Sequence, residues 1–337
     1  MNVLFVCSGN IGRSQMAMEY FKRLGVGKTA SAGTRVTVEN EKIGDREDAQ
    51  NVLEVMREDG IEMSSNRRTT LVPEMLADFD KAIVMAEPDR TPEWLSSSPK
   101  FEYWEIPNVN GMPIEQLRKV RDAIKSKVRD LATLATQSQD KITAFRQHVV
   151  AAAGNLNFVH HKWFVPWHLE IVEKLADELC DYYPDADKEL INVMVWMHDY
   201  GKILDFDDQY QKTLVAGRAK LQELGFATEF TDRVITYIEA LDKKLEIDLR
   251  AAPIEVQIVS SADGCSHMVG PFLEIFWHEA TDKTFTNKTF KELMDLNRKK
   301  VDKDWNYKIV LPEARRAFEA RYIFHREQSG ELPEKFF

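Results

Sequence analysis

Asn2-Val3-Leu4-Phe5-Val6-Cys7-Ser8-Gly9-Asn10-Ile11-Gly12-Arg13-Ser14 reads as a strand, a tight turn and the start of a helix. Between Asn2 and Val6 the run is apolar, the pattern of a parallel strand buried on both sides. From Ser14 to Leu24 apolar residues recur at helical spacing, and Gly25 stops them. Working outward, Thr29 to Ala32, Lys81 to Met85 and Phe101 to Ile106 read as further strands. Residues 45–59 read as a helix ended by Gly60, and residues 113–134 as a long amphipathic helix. Such alternation predicts an α/β unit: a parallel sheet with helices on both faces.

After Thr136 the texture changes. Gln137 to Asp140 is short and polar and reads as a junction, and the strand signals then mostly vanish. Residues 141–153, 166–182, 186–202, 208–224, 228–245, 253–270, 272–280 and 287–300 all suit helices. The expected division is therefore 1–136, an α/β domain, and 137–337, an all-α domain. Two domains also suit a length of 337 residues, since one domain takes roughly 150.

With 55 acids against 45 bases the net charge is −10. That disfavours general nucleic-acid or anionic-membrane binding. Three cysteines, Cys7, Cys180 and Cys265, cannot build a disulfide framework, and no CxxC pair offers a zinc knuckle. The first residues lack a basic leader and read as a strand, not a signal peptide. No apolar stretch approaches the roughly 18 residues of a membrane span. The expected compartment is the cytoplasm, and the composition leaves a homodimer open.

Cys7 closes the first strand just where a helix begins. A strand-to-helix turn with two glycines can wrap backbone N–H groups around an oxyanion, and the helix N-terminus adds positive potential. Arg13 supplies a planar fork for two phosphate oxygens. The same surroundings favour a Cys7 thiolate, with Ser14 placed to donate to it and Asn10 placed to brace the loop. Cysteine and arginine at this spacing recur by chance as a buried strand residue and a surface residue. Their place between a first strand and a helix start turns the balance toward a site.

Val6 to Ser14 resembles the phosphate loop of the low-molecular-weight protein tyrosine phosphatases, whose close relatives include arsenate reductases. The likeness continues in Ser31-Ala32-Gly33-Thr34, in Gly60-Ile61 through Arg67-Arg68, in Asp78-Phe79-Asp80 leading to Val84-Met85, and in Trp104 to Pro107. It implies the phosphotyrosine phosphatase I-like fold, catalysis by Cys7, Arg13 and Ser14 through a cysteinyl-phosphate, and phosphate binding by Ser8, Gly9, Asn10, Ile11, Gly12 and Arg13. Two departures stand out. Asn108 occupies the position of the family's general-acid Asp, and an amide cannot protonate a leaving alkoxide; loss of such an acid costs about 10²–10⁴ in rate. Glu105 is a weaker substitute three residues away. Gly12 stands where many relatives carry another cysteine, so the relay of a thiol-dependent arsenate reductase is missing. A slow phosphatase, one restricted to acidic leaving groups, and a phosphate-sensing pseudoenzyme all stay open.

The helical half carries His168 near a helix start, His198-Asp199-Tyr200-Gly201-Lys202 after an apolar helix, and Asp263 inside another apolar helix. Imidazoles and carboxylates together suit a divalent ion such as manganese, iron, cobalt, nickel, zinc or magnesium. A water acidified by that ion would be the nucleophile. Singly, each residue is better explained by packing or capping; together and in this order they point to metal. The pattern resembles the HD-domain metal-dependent phosphohydrolases: His168, His198-Asp199 and Asp263 match the ligands, and Lys202 the phosphate partner. The resemblance implies hydrolysis of a phosphoester in a small phosphorylated substrate, often a nucleotide. Residues 203–262 hold no histidine, so one ion is expected, with Glu239 or Asp242 near enough to approach it. His267 reads as a neighbour of Asp263, His160-His161 as a pair that could line the pocket but is more readily structural, and His148, His278 and His325 as unmatched. The last helices, rich in Lys and Glu, read as a solvated shell.

Overall fold

The structure, a computed structural model, describes residues 1–270 and 289–331. The chain divides into two units, Met1–Gln139 and Asp140–Phe337. In the first, strands β1 (Val3–Cys7), β2 (Thr29–Gly33), β3 (Lys81–Val84) and β4 (Phe101–Tyr103) form one parallel sheet in the order β2-β1-β3-β4. Side chains alternate along β1, as the two-residue period of a strand requires. Val3, Phe5 and Cys7 join a core with Met16, Val52 and Leu117, whereas Leu4 and Val6 join another with Leu76, Phe79 and Leu95. The first face is covered by α1 (Arg13–Leu24), α2 (Gln50–Glu58) and the beginning of α4 (Ile114–Ala153). The second is covered by a 3-10 turn, Pro73–Asp78, and the short α3 (Glu93–Ser96).

Two expectations shift here. The helix read over 45–59 begins only at Gln50, because Ile43–Asp45 and Glu47–Ala49 are separate 3-10 turns. Gln137 to Asp140 is helical: it lies inside α4, so a polar composition there marks an exposed helical turn and not a loop.

The second unit continues with α5 (Glu170–Cys180), α6 (Lys188–Met197), α7 (Tyr200–Leu204), α8 (Gln209–Glu223), α9 (Thr228–Asp242), α10 (Ile254–Ser266), α11 (Phe290–Lys303) and α12 (Pro312–Gln328). Trp196, Phe145, Met194 and Val259 sit in its apolar core. Two π-helical turns, Val165–Leu169 and Asp304–Lys308, widen the backbone by one residue per turn, and such widenings gather at functional sites. The expected helix over 272–280, His278 and the start of the one over 287–300 lie outside the described residues. Among the described residues, no helix is long and apolar enough to cross a membrane.

Candidate functional sites

In the first unit, β1 delivers Cys7 to a cavity of about 170 Å³ that Ser8, Gly9, Ile11, Gly12 and Arg13 also line. Asn10 and Ser14 lie beneath it, fully buried. Asn10 has φ 53°, a left-handed conformation that asparagine tolerates better than most residues. Its amide donates to Ser14 Oγ (2.9 Å) and Ser31 Oγ (3.0 Å), and its Oδ1 accepts from the Thr69 N–H (2.8 Å). With the Ser14 oxygen already accepting from Asn10, its own proton faces Cys7 Sγ at 3.1 Å. Arg68, buried, donates to Gly9 O at 2.9 Å and fixes the turn from behind.

Arg13 is anchored by groups far away in sequence. Its guanidinium donates to the carbonyls of Met85 and Ile106 and to Glu87 Oε1 (2.9 Å), while Ser8 Oγ donates to Glu87 Oε2 (2.7 Å). Burial pushes the Glu87 carboxyl up, but Ser8 and Arg13 outweigh it and hold the group below its ordinary range. Glu87 therefore ties the two ends of the turn together, a role that the sequence did not reveal. Asn108 is exposed at the rim. Glu105 is exposed and is not among the cavity residues. The one aspartate there, Asp48, is kept ionised by its hydrogen bond to Arg46. A Cβ on Gly12 would meet Val109 Cγ2 at 2.5 Å, so this glycine is what lets Val109 close over the turn.

In the second unit, His168 arrives on the π-helical turn before α5, His198 and Asp199 at the break between α6 and α7, and Asp263 on α10. One donor atom from each of His168, His198 and Asp263 lies within 4.8 Å of the others. Asp199 stands outside that mutual set, yet its Oδ2 is 3.2 Å from His168 Nε2 and 3.7 Å from His198 Nε2. Lys202 holds the same oxygen at 2.5 Å. Gly201 permits the turn: a Cβ there would meet Gln209 O at 1.9 Å, because α8 packs directly on its backbone.

The hydrogen bonds behind the two histidines settle their tautomers. His198 Nδ1 donates to Val195 O (2.7 Å). Ser266 Oγ donates to Asp263 O (2.7 Å), so at 3.1 Å it accepts from His168 Nδ1. Burial lowers the His168 pKa and keeps the ring neutral. With both rings neutral, the two Nε2 atoms turn their lone pairs toward each other at 3.3 Å. Two donors about 2.1 Å from one ion at a tetrahedral angle lie about 3.4 Å apart, so this donor set fits a metal. Burial raises the Asp199 and Asp263 carboxyls, but Lys202 beside the first and Lys308 beside the second, with the histidines, hold both well below the usual range.

Sequence comparison places both units. A family model described as "Low molecular weight phosphotyrosine protein phosphatase" matches residues 2–142, and one described as "HD domain" matches residues 168–268. The glutaredoxin arsenate reductase of Synechocystis is 30% identical over 131 residues, 38% of this chain and 94% of that protein. The chain belongs to the low molecular weight phosphotyrosine protein phosphatase family, and it carries an HD domain behind that unit. Arsenate reductase 2 of Staphylococcus epidermidis is 27% identical over 39% of this chain and 95% of that protein. Among solved structures, the YwlE arginine phosphatase from Geobacillus stearothermophilus is 26% identical, with 41% of this chain and 96% of that chain covered and a TM-score of 0.35. Phosphotyrosine phosphatases and HD domains are both phosphohydrolase families.

Around the HD centre the structure adds residues that were read otherwise. The Lys- and Glu-rich C-terminal segment is not merely a solvated shell: Lys300, Lys303 and Lys308 line the same cavity as the histidines, about 440 Å³ in volume. Lys308 Nζ is 2.5 Å from Asp263 Oδ2, and the buried Asp304 accepts from Lys300 and from His267 Nδ1 (2.9 Å). His267 Nε2 lies 3.4 Å from Asp263 Oδ1, and its ring stacks on His168 at 5.2 Å. His160, for which a place in the pocket was the alternative to a structural role, lines the cavity as well. Asp242 lines it too, whereas Glu239 pairs with Lys243 in solvent.

Proposed function

We propose that this chain is a two-domain phosphohydrolase in which the HD domain hydrolyses a phosphoester of a small phosphorylated molecule, a nucleotide among them. His168, His198, Asp199 and Asp263 would hold one divalent ion. The observation that carries this reading is the pair of Nε2 lone pairs facing each other at 3.3 Å beside two ionised carboxylates. Two such lone pairs repel unless a cation lies between them. A divalent ion, when bound, draws charge from a phosphoryl oxygen and acidifies water. The protein's own groups do the rest. Val195 and Ser266 fix the rings, and Lys202 holds its ammonium beside Asp199, where it can meet phosphate charge. Trp163, Phe164 and Phe206 give the cavity an apolar wall. The test is metal analysis of the purified protein, followed by a phosphate-release screen over nucleotides and other phosphoesters. One metal per chain is expected, with turnover that a chelator and Asp199→Ala both abolish. Turnover indifferent to both would overturn the assignment.

In the phosphatase unit, Cys7 is the proposed nucleophile, Ser14 the donor that steadies its thiolate, and Arg13 with the turn from Ser8 to Gly12 the phosphate cradle. A second reading is favoured by Asn108 at the rim and by an Asp48 held ionised. Neither can supply a proton to a poor leaving group. On that reading the unit senses phosphate or a phosphoprotein and regulates the HD hydrolase.

A further inference from the structure

Among the described residues, five lysines line the HD cavity, and the carboxylates lining it with them are Asp199, Asp242 and Asp263. Three of the lysines are matched: Lys202 by Asp199, Lys308 by Asp263, and Lys300 by Asp304. Among the described residues Lys303 is not, and Lys244 has only the longer-range attraction of Asp263 and Asp242. Lys244 Nζ reaches the Leu241 carbonyl at 3.3 Å and lies 6.0 Å over the Tyr210 ring. Neither lysine has a carboxylate at ion-pair distance among the described residues. Lys244 is also partly desolvated, since burial, ahead of the Lys308 charge, lowers its pKa. Asp242 Oδ2, buried, has no hydrogen-bond partner among the described residues. Burial pushes this carboxyl to about 7, so near neutral pH it can present a proton in place of a charge.

Two unmatched ammonium groups in a concave, part-buried wall cost desolvation and mutual repulsion. A polyanion would offset both. The cation excess exists before any divalent ion is added, so one phosphate group at the histidine centre leaves positive charge uncovered. The neighbouring aromatic surface suits an unsaturated ring.

We propose that Lys244 and Lys303 form a second anion subsite, and that the HD domain's substrate is a ring-bearing small molecule with two phosphate groups. One group would lie at the His168–Asp263 centre and the other on this lysine pair. The proposal rests on the hydrolase reading above and narrows its substrate.

Calorimetric titration of the manganese-loaded full chain, with each probe recovered afterwards to show that it stayed intact, tests it with three probes: AMP, ADP and adenosine 3′,5′-bisphosphate. At least one doubly phosphorylated probe should bind about tenfold more tightly than AMP, the effect of one well-made charge-assisted contact. ADP favoured over the 3′,5′-bisphosphate would mean adjacent phosphates, and the reverse would mean separated ones. The double variant Lys244→Met, Lys303→Met should erase that advantage while AMP affinity changes less than twofold. Phosphate taken up by the Cys7 cradle is common to both proteins and cancels in the difference. Lys303→Met alone, at the end of α11, keeps the test open if the double variant does not fold. Equal affinity of the wild type for all three probes, or an advantage that survives in the variants, would overturn the subsite. A manganese titration of the same proteins, first stripped of metal and freed of chelator, separates the two ideas. Metal bound without the bisphosphate advantage defeats only the subsite; the advantage without metal binding defeats the hydrolase reading.

Discussion

The Cys7 cradle is written in eight consecutive residues, 7–14, whereas the HD centre is gathered from positions 168, 198, 199 and 263. The first is assembled by one turn of backbone, and the second only when several helices pack. Each nevertheless depends on residues remote from it in sequence. Glu87 and Arg68 brace the contiguous site; Ser266, Lys308 and the Val195 carbonyl brace the dispersed one. Proximity in sequence makes a site easy to find, but it does not make the site self-supporting.

Three substitutions would break or sharpen this comparison. The largest effect belongs to Cys7→Ser. With chelator present to silence the HD centre, hydrolysis of p-nitrophenyl phosphate should fall by about 10³-fold or more, as expected when a nucleophile is removed. Unchanged turnover would mean that the first unit does not use its cysteine, leaving the sensor reading. Next comes Asn108→Asp, which restores a carboxyl at the rim. It should raise kcat by about 10²-fold on alkyl phosphates, whose leaving groups need a proton, and barely alter the rate on p-nitrophenyl phosphate. Equal gains on both substrates would exclude general acid catalysis as the cause. The smallest effect is Ser266→Ala, which removes the acceptor for His168 Nδ1. Manganese affinity, read by competition with a chromophoric chelator, should weaken by about tenfold with the fold intact. A stronger loss would mean that Ser266 supports the packing of α10 as well as the ring.

The parallel sheet was legible because its central strands are apolar runs, and the HD candidate residues because His and Asp are conspicuous among apolar helical residues. Other features leave no such mark. The helix expected from residue 45 starts at Gln50 because a short 3-10 turn has no periodicity of its own. Lys300, Asp304 and Lys308 looked like a solvated face, since a charge pattern reads the same whether it meets water or opposite charges inside a cavity. Asp304 and Lys308 are buried on the π-helical turn Asp304–Lys308, and a single extra residue in a turn has no signature in composition. The restraint on Arg13 left no mark either, because the carbonyls of Met85 and Ile106 that hold it are main-chain groups, invisible in any side-chain pattern.

The contact between Gly12 and Val109 bears on how this branch of the family can diversify. Relatives that reduce arsenate are only about a quarter to a third identical to it. A sulfur placed at position 12 here would have to displace the valine that roofs the turn. A side chain at position 12 therefore needs a shift or a matching change at Val109, in a different loop.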